Sequence, residues 1–485
     1  MLRLLPAKKL RYTFKTEPFA HQKRALRKIQ KLNGRGGLFM EMGTGKTKVA
    51  IDWAGIGFYN HGVKRVLVVA PLSVHGVWPR QIRQHSGAPA RIFRLGGNTK
   101  SRIRTLSLIL RSPVQDRLTY LIINYEGIWR HPDRGPGVEA LLRRWNPDLV
   151  IFDESHRIKS PTSKQSKAAW RIARESDQCL LLTGTPITKA PLDIFGQFRA
   201  LNHRVFGENW YQFKFTYGVW GGFGKHQLLG TRNLPDLIEK VRAWTFRIKK
   251  KQCLDLPEKL FVDVPVTLSD RAYAIYREMA MKMIVEIEET HALAQIVVVK
   301  LLRLSQITSG FVKDVDKRIR IFDDSKLRVC MDLLDDLLEE GQKVIIYAKF
   351  TADVDRIGQK LVEKKIGHRI LSGSVPSEKR DSIVQAFQTK PDVKVFLAQI
   401  QTGSEGIELF AGSAVIYYSM GNRALDYWQS QDRAHRPGQT RNVTYYRLVV
   451  PHSIDTVQYK ALDSKEKIAN VVIHDPYVLN PNLGH

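Results

Sequence analysis

Cysteine is scarce in this chain: Cys179, Cys253 and Cys330 lie far apart, with no C-x-x-C pair. That spacing excludes a disulfide framework and a cysteine-based zinc site, and it fits a reducing, cytoplasmic setting. Long hydrophobic runs are missing as well. No stretch approaches eighteen consecutive apolar residues, so no membrane-spanning helix is expected. Residues 1–15 alternate basic and apolar side chains without the apolar core of a signal peptide, and they lead directly into motif-bearing sequence. The third shortage is negative charge: 47 Asp and Glu face 77 Lys and Arg, a net charge of +30. An excess of that size points to a polyanionic partner, nucleic acid first among them. The hydrophobic content of 43% is that of a globular protein, and 485 residues call for two or three domains.

The chain is organised around Glu41-Met42-Gly43-Thr44-Gly45-Lys46-Thr47. An apolar run precedes it and a helix-compatible run follows, which is the order a phosphate cradle requires. Glycines let backbone N–H groups turn toward phosphate oxygens, and the helix N-terminus adds its positive dipole end. Gly43, Thr44, Gly45, Lys46 and Thr47 are the expected phosphate contacts; Lys46 reaches the β- and γ-phosphates and the Thr47 hydroxyl ligates Mg²⁺. The full pattern wants glycine where Met40 stands. About twenty residues earlier, Gln22 is a candidate adenine reader, since an amide donates and accepts at once. Without the phosphate loop it would read as an ordinary surface glutamine.

Four β-branched-rich runs follow, at 65–70, 119–124, 148–152 and 179–182, with helix-compatible segments between them. Near-continuous apolar strands alternating with helices imply a parallel sheet covered on both faces, with ligand residues just past the strands' carboxyl ends. Asp153-Glu154-Ser155-His156 falls at one such end. Adjacent carboxylates there are costly unless they serve a cation or a proton transfer. Asp153 is expected to hold Mg²⁺, directly or through water, and Glu154 to polarise the attacking water. Thr183 and Thr185, in Thr183-Gly184-Thr185-Pro186, are placed to sense the γ-phosphate. Ser73, Trp78 and Asn124, at other strand ends on a basic protein, suit nucleic-acid contacts, although Trp78 equally suits a core.

Strand–helix alternation is lost over 203–322. The aromatics of 206–223 interleave with bases and could stack on unpaired nucleotides, but a small helical core is the preferred reading. Residues 273–304 read as one or two helices. Alternation resumes with runs at 343–348, 393–398, 414–418 and 442–450, a second α/β domain without a phosphate loop of its own. Thr402, Gly403 and Gly406 follow one of its strands, where glycines allow close backbone approach to DNA or nucleotide. Arg433 and Arg436 lie three apart and would share a helix face. A guanidinium beside the γ-phosphate stabilises transition-state charge, worth about 10³–10⁵ in rate, and these two are the arginine-finger candidates.

In order and spacing, Gln22, 41–47, Pro71-Leu72-Ser73, 153–156, 182–187, Leu371-Ser372-Gly373 and Gln429-Ser430-Gln431-Asp432-Arg433-Ala434-His435-Arg436-Pro437-Gly438-Gln439 resemble the SNF2 family of superfamily 2 helicase-like motors. The resemblance runs over about residues 15 to 470 and leaves no room for an appended targeting domain. Met40 stands where that family commonly has Asp, Lys189 where it has Asn, Ser404 where it has Gly, and Gly421-Asn422-Arg423 replaces Trp-Asn-Pro. The resemblance implies two RecA-like parallel-sheet lobes with a small helical insertion between them: 1–202, 203–322 and 323–485. It implies a DNA-stimulated ATPase that uses ATP and Mg²⁺ in the cleft between lobes and tracks double-stranded DNA without obligatory strand separation. His156, Thr183, Thr185 and Gln429 would couple hydrolysis to motion, and Gly373, Thr402 and Gly403 would touch DNA. Two other readings stand beside it: a strand-separating DNA or RNA helicase, and a non-catalytic nucleic-acid binder with a degenerate motor. The last is disfavoured by the presence of Lys46, Asp153, Glu154, Arg433 and Arg436. A monomeric motor is expected, acting on DNA and DNA-bound proteins and on no membrane. The lack of a chromatin-reading module leans toward a prokaryotic or viral, cytoplasmic setting, or a nuclear one if eukaryotic.

Overall fold

The computed structural model describes residues 12–112, 116–131, 135–187, 190–221, 227–253, 258–290, 294–314, 316, 318–403, 407–421, 423–436 and 439–464. The chain forms two compact units, Met1–Asp255 and Leu256–His485.

In the first unit the strands are β1 (Arg35–Met40), β2 (Arg65–Val69), β3 (Ala90–Arg94), β4 (Leu118–Ile123), β5 (Leu149–Asp153), β6 (Gln178–Leu182), β7 (Gly218–Gly221), β8 (Gln227–Thr231) and β9 (Thr245–Ile248). Seven of them make one parallel sheet in the order β3-β4-β2-β5-β6-β1-β9, while β7 and β8 pair as a separate antiparallel hairpin. The apolar runs are continuous because the sheet has a core on each face. Val66 and Val68 of β2 point into one cluster and Leu67 and Val69 into the other. Side chains alternate across a strand, so burial on both sides demands apolar residues at every position.

The second unit repeats the plan with β10 (Lys259–Pro265), β11 (Phe311–Lys313), β12 (Ile319–Ile321), β13 (Val344–Ala348), β14 (His368–Leu371), β15 (Val395–Gln399), β16 (Ala414–Tyr417) and β17 (Val443–Val449). Its parallel sheet runs β10-β17-β16-β13-β15-β14. Val344 and Ile346 face one core, Ile345 and Tyr347 the other. Helices Asp270–Thr290 and Ala294–Thr308 pack with Ile454–Ser464 around Tyr276, Met283, Leu301 and Ile454.

The stretch 203–322 is shared between the units, its first part lying in one and its remainder in the other. Besides the two hairpins β7–β8 and β11–β12, it supplies one strand to each parallel sheet where alternation was expected to lapse. Thr245-Phe246-Arg247-Ile248 is β9, an edge strand beside β1, and Lys259–Pro265 is β10, an edge strand beside β17. Both are edge strands with charged residues, so neither shows the unbroken apolar pattern of a central strand. Much of the aromatic stretch behaves as core, with Phe206, Trp210, Phe213 and Tyr217 packed on Phe195 and Phe198, whereas Tyr211 and Phe215 are exposed. Among the described residues no helix is long and apolar enough to cross a membrane.

Candidate nucleotide-hydrolysis site

The first unit gathers its polar site residues at the carboxyl ends of three neighbouring strands, β5, β6 and β1. After β1 the chain turns through Gly43 (φ 77°) and Gly45 (φ 82°) into the helix Lys46–His61. Only glycine takes these left-handed positions cheaply. At Gly45 a Cβ would also stand 2.2 Å from the Gln22 amide nitrogen. Met40 leaves the turn intact because it is still strand: it is fully buried in β1. Lys46 folds back over the loop, its ammonium donating to the carbonyls of Met40 (2.9 Å) and Glu41 (3.3 Å). Thr44 is buried and Thr47 half-buried in the helix's first turn. The Glu41 carboxylate accepts from the Lys250 backbone N–H at 2.7 Å, which fixes the basic run after β9 against the loop.

Gln22 is 2% exposed and already engaged. Its carbonyl accepts from Phe19 N–H (3.0 Å) and its amide donates to the Thr44 carbonyl (3.2 Å), where His21 Nε2 also lies at 2.8 Å. The glutamine thus braces the phosphate loop whatever else it reads.

Asp153 ends β5 and is buried. Burial, then the adjacent Glu154 charge, raise its carboxyl above the usual range, against the Trp78 indole N–H and the Lys46 ammonium. Glu154 holds a left-handed backbone (φ 52°, ψ 54°), strain of about 1–2 kcal/mol for a non-glycine residue. That turn aims its carboxylate at Thr183 Oγ1 and His156 Nδ1, each at 3.3 Å, and the latter two also lie 3.3 Å apart. So β5 and β6 deliver Glu154, His156 and Thr183 to one triangle. Thr185 donates its N–H to Thr183 Oγ1 (3.1 Å), and its own buried hydroxyl has no partner among the described residues. A threonine hydroxyl and a carboxylate are hard oxygen donors, and the adjacent Asp153 and Glu154 carboxylates are a setting a divalent cation relieves; Thr47 and Asp153 therefore fit Mg²⁺. Among the described residues no cluster of three or more His, Cys, Asp or Glu is arranged to hold a metal by itself.

Trp78 requires a correction. It is 1% exposed in the core, and its indole donates to Asp153 Oδ2 at 2.9 Å. It positions the carboxylate and cannot touch a nucleic acid. Asn124 is buried at the end of β4, bridging Arg102 (3.0 Å) and Glu126 (2.8 Å). Ser73 is described by its backbone alone, in the turn Leu72–Val74.

Two buried residues escaped the sequence reading. Tyr125 donates its hydroxyl to the Asp153 carbonyl at 2.7 Å. Gln197, fully buried, accepts from Ser155 Oγ (2.8 Å) and donates to the carbonyls of Pro186 (2.7 Å) and Asp193 (3.1 Å). One amide thereby ties the loop after β5 to the loop after β6. Its only signal in the sequence is an amide set among apolar residues in the middle of the helix Ile194–Asn202.

In the second unit the helix Ala424–Ala434 carries Gln429 and Arg433, both buried. The helix ends before Arg436, so the two arginines do not share a helix face. They converge through the Ile407 carbonyl, which accepts from Arg433 at 3.3 Å and Arg436 at 3.5 Å; Arg436 also pairs with Glu408 at 3.0 Å. The Gln429 side-chain carbonyl is buried without a partner among the described residues. Gly373 and Thr402 follow β14 and β15, neighbours whose carboxyl ends lie side by side, and the Gly373 N–H donates to Gln399 at 3.4 Å. Gly403 is described by its backbone alone; Gly406 and Lys189 lie outside the described residues.

Two parallel-sheet units, the first with a glycine-lysine-threonine loop and paired carboxylates and the second with Arg433 buried and Arg436 half-buried, define a helicase-like nucleotide-dependent motor class. The chain matches the SNF2-related domain over residues 21–310 and the helicase conserved C-terminal domain over 325–438. It belongs to the SNF2-related family. It is 27% identical over 96% of its length to an uncharacterized ATP-dependent helicase of Mycoplasma genitalium. It is 27% identical over 92% of its length to the SWI/SNF-related matrix-associated actin-dependent regulator of chromatin subfamily A-like protein 1 homolog of Caenorhabditis elegans. With the human DNA annealing helicase and endonuclease ZRANB3 it shares 26% identity over 92% of its length. The chain spans 43%, 60% and 39% of these relatives, respectively. A Sulfolobus solfataricus SWI2/SNF2 ATPase core in complex with dsDNA aligns over 96% of this chain and 95% of that chain, at 22% identity and a TM-score of 0.44.

Proposed function

We propose that this protein is a DNA-stimulated ATPase that converts ATP hydrolysis into movement along double-stranded DNA without obligatory strand separation. The observation that carries the reading is the convergence of Lys46, Asp153, Glu154, His156 and Thr183 at the carboxyl ends of β1, β5 and β6. Gly43–Thr47 receives the phosphates, with Lys46 leaving its loop carbonyls for phosphate oxygens. Thr47 and Asp153 would hold Mg²⁺, which when bound neutralises phosphate charge. Glu154 orients the attacking water. Loss of the γ-phosphate is relayed through Thr183, Thr185 and His156. Arg433 and Arg436 of the second unit supply positive charge to the transition state. The net charge of +30 supports a nucleic-acid track. Gly373, Thr402 and Gly403, with Asn124 and Ser73, are the proposed DNA contacts.

Steady-state ATP hydrolysis with and without duplex DNA tests this reading, using Glu154→Gln beside the parent. The variant should bind nucleotide and lose hydrolysis by about 10²–10⁴-fold. Hydrolysis as fast as the parent's would remove Glu154 from its role.

A further inference from the structure

The first unit carries a cavity of about 180 Å³ that the nucleotide residues do not use. Its walls include Lys64, Arg65, Arg91, Phe93, Arg144 and Trp145. Arg65 begins β2, Arg91 lies at the start of β3, and Arg144 and Trp145 end the helix Val138–Trp145. The sheet is parallel and residues 41–47 and 153–156 follow carboxyl ends, so this cavity sits at the opposite, amino edge. A five-residue strand sets the two edges about 16 Å apart.

The cavity is cationic beyond its structural needs. Arg65 is accounted for, donating to the Trp145 carbonyl (2.9 Å) and the Asp148 carboxylate (3.2 Å). Lys64 has a distant partner in Asp116, 3.8 Å away on a side chain 92% exposed. Arg91 lies 4.5 Å from the Phe93 ring centroid, and neither it nor Arg144 has an ion pair among the described residues. The helix C-termini here contribute only about half a negative charge each. Like charges gathered in a concavity focus a positive field that attracts anions. Phe93 and Trp145 add flat apolar surface that suits a sugar face.

We propose that this cavity is a second phosphate-binding site for nucleic acid, in which Arg91 and Arg144 hold backbone phosphates at the edge of the sheet opposite the ATP loop. The site does not depend on the ATPase reading and would stand if that reading failed.

The test is equilibrium binding of a fluorescent duplex to the full chain across a salt titration. It compares Arg91→Glu/Arg144→Glu with Lys390→Glu/Lys394→Glu, an equal charge change on exposed lysines of the second unit. Two lost phosphate contacts should flatten the slope of log K against log salt by about 1.8 and raise Kd about 60-fold at 0.1 M salt. The lysine pair should change the slope by less than one contact. Arg91→Gln/Arg144→Gln, which removes charge without reversing it, should reproduce the lost slope with parental thermal melting. An unchanged slope in both arginine variants, or an equal loss in the lysine pair, overturns the proposal.

Discussion

Replacing Gln197 with leucine keeps roughly the same volume in a fully buried position but removes an amide that bonds two loops. Ser155 Oγ and the Pro186 carbonyl would lose that partner in the interior, at about 1–3 kcal/mol for each group left unsatisfied. The Asp193 carbonyl sits at the helix start and is less dependent on the amide. The total, about 2–6 kcal/mol, is below the roughly 10 kcal/mol middle of the 5–15 kcal/mol range for an ordinary domain, so the first unit should fold. The loops meet the cost by moving apart, which loosens Thr183 and Thr185 from Glu154 and His156. If about 2 kcal/mol of the active arrangement is lost, turnover falls about 30-fold. Nucleotide affinity should change little, because Gln197 bonds neither the phosphate loop nor Lys46. The assay is kcat with and without duplex DNA, alongside nucleotide Kd and thermal melting. Gln197→Leu should keep nucleotide binding and lose most of the DNA stimulation. A lower melting temperature with parental kcat and parental stimulation would show that the amide is structural only, and the reasoning would be refuted.

Four further outcomes follow from the same geometry. Gly45→Ala puts a Cβ 2.2 Å from the Gln22 amide at φ 82°, so nucleotide affinity measured by titration should fall at least tenfold. Arg433→Ala and Arg436→Ala should each lower kcat by about 10³ or more while nucleotide Kd stays near the parent's. Trp78→Phe retains core volume but withdraws the indole N–H from Asp153, so more Mg²⁺ should be needed for half-maximal ATPase. In the second unit, burial pushes the Asp353 carboxyl up to about 6, with Ser419 and Ser309 hydroxyls bonding one of its oxygens. Its folded state therefore binds the proton more tightly than the unfolded state. The stability it lends is full below about pH 4 and is lost as pH rises toward 6. Thermal melts of Asp353→Asn against the parent should show a relative gain for the variant at pH 7 that is absent at pH 4.

The sequence revealed those parts of the fold whose pattern is local. Strands β2, β4, β5 and β6 are continuous apolar runs because both faces are buried, and turn residues mark where each stops. Edge strands β3, β9, β10 and β14 carry charges and half-exposed positions, so their pairing depends on distant neighbours that no window of sequence contains. Lys46, Asp153, Glu154, Arg433 and Arg436 could be proposed in advance because the loop, carboxylate and arginine patterns that carry them are local in sequence. Residues that act through others could not. Trp78 looks the same in sequence whether it stacks on a base or braces Asp153; only its burial decides. Gln197 reads as an interruption of an apolar helix until Ser155 and Pro186 are seen against it. The shared helix face expected for Arg433 and Arg436 failed because the helix ends at Ala434, one residue past Arg433.

The central claim, ATP-driven tracking on duplex DNA, is most directly tested by triplex displacement, run with a parallel readout of strand separation on the same duplex. The account predicts ATP-dependent release of the third strand, an intact duplex, and loss of release in Glu154→Gln. Separation of the duplex strands, or release that proceeds equally in Glu154→Gln, would contradict it.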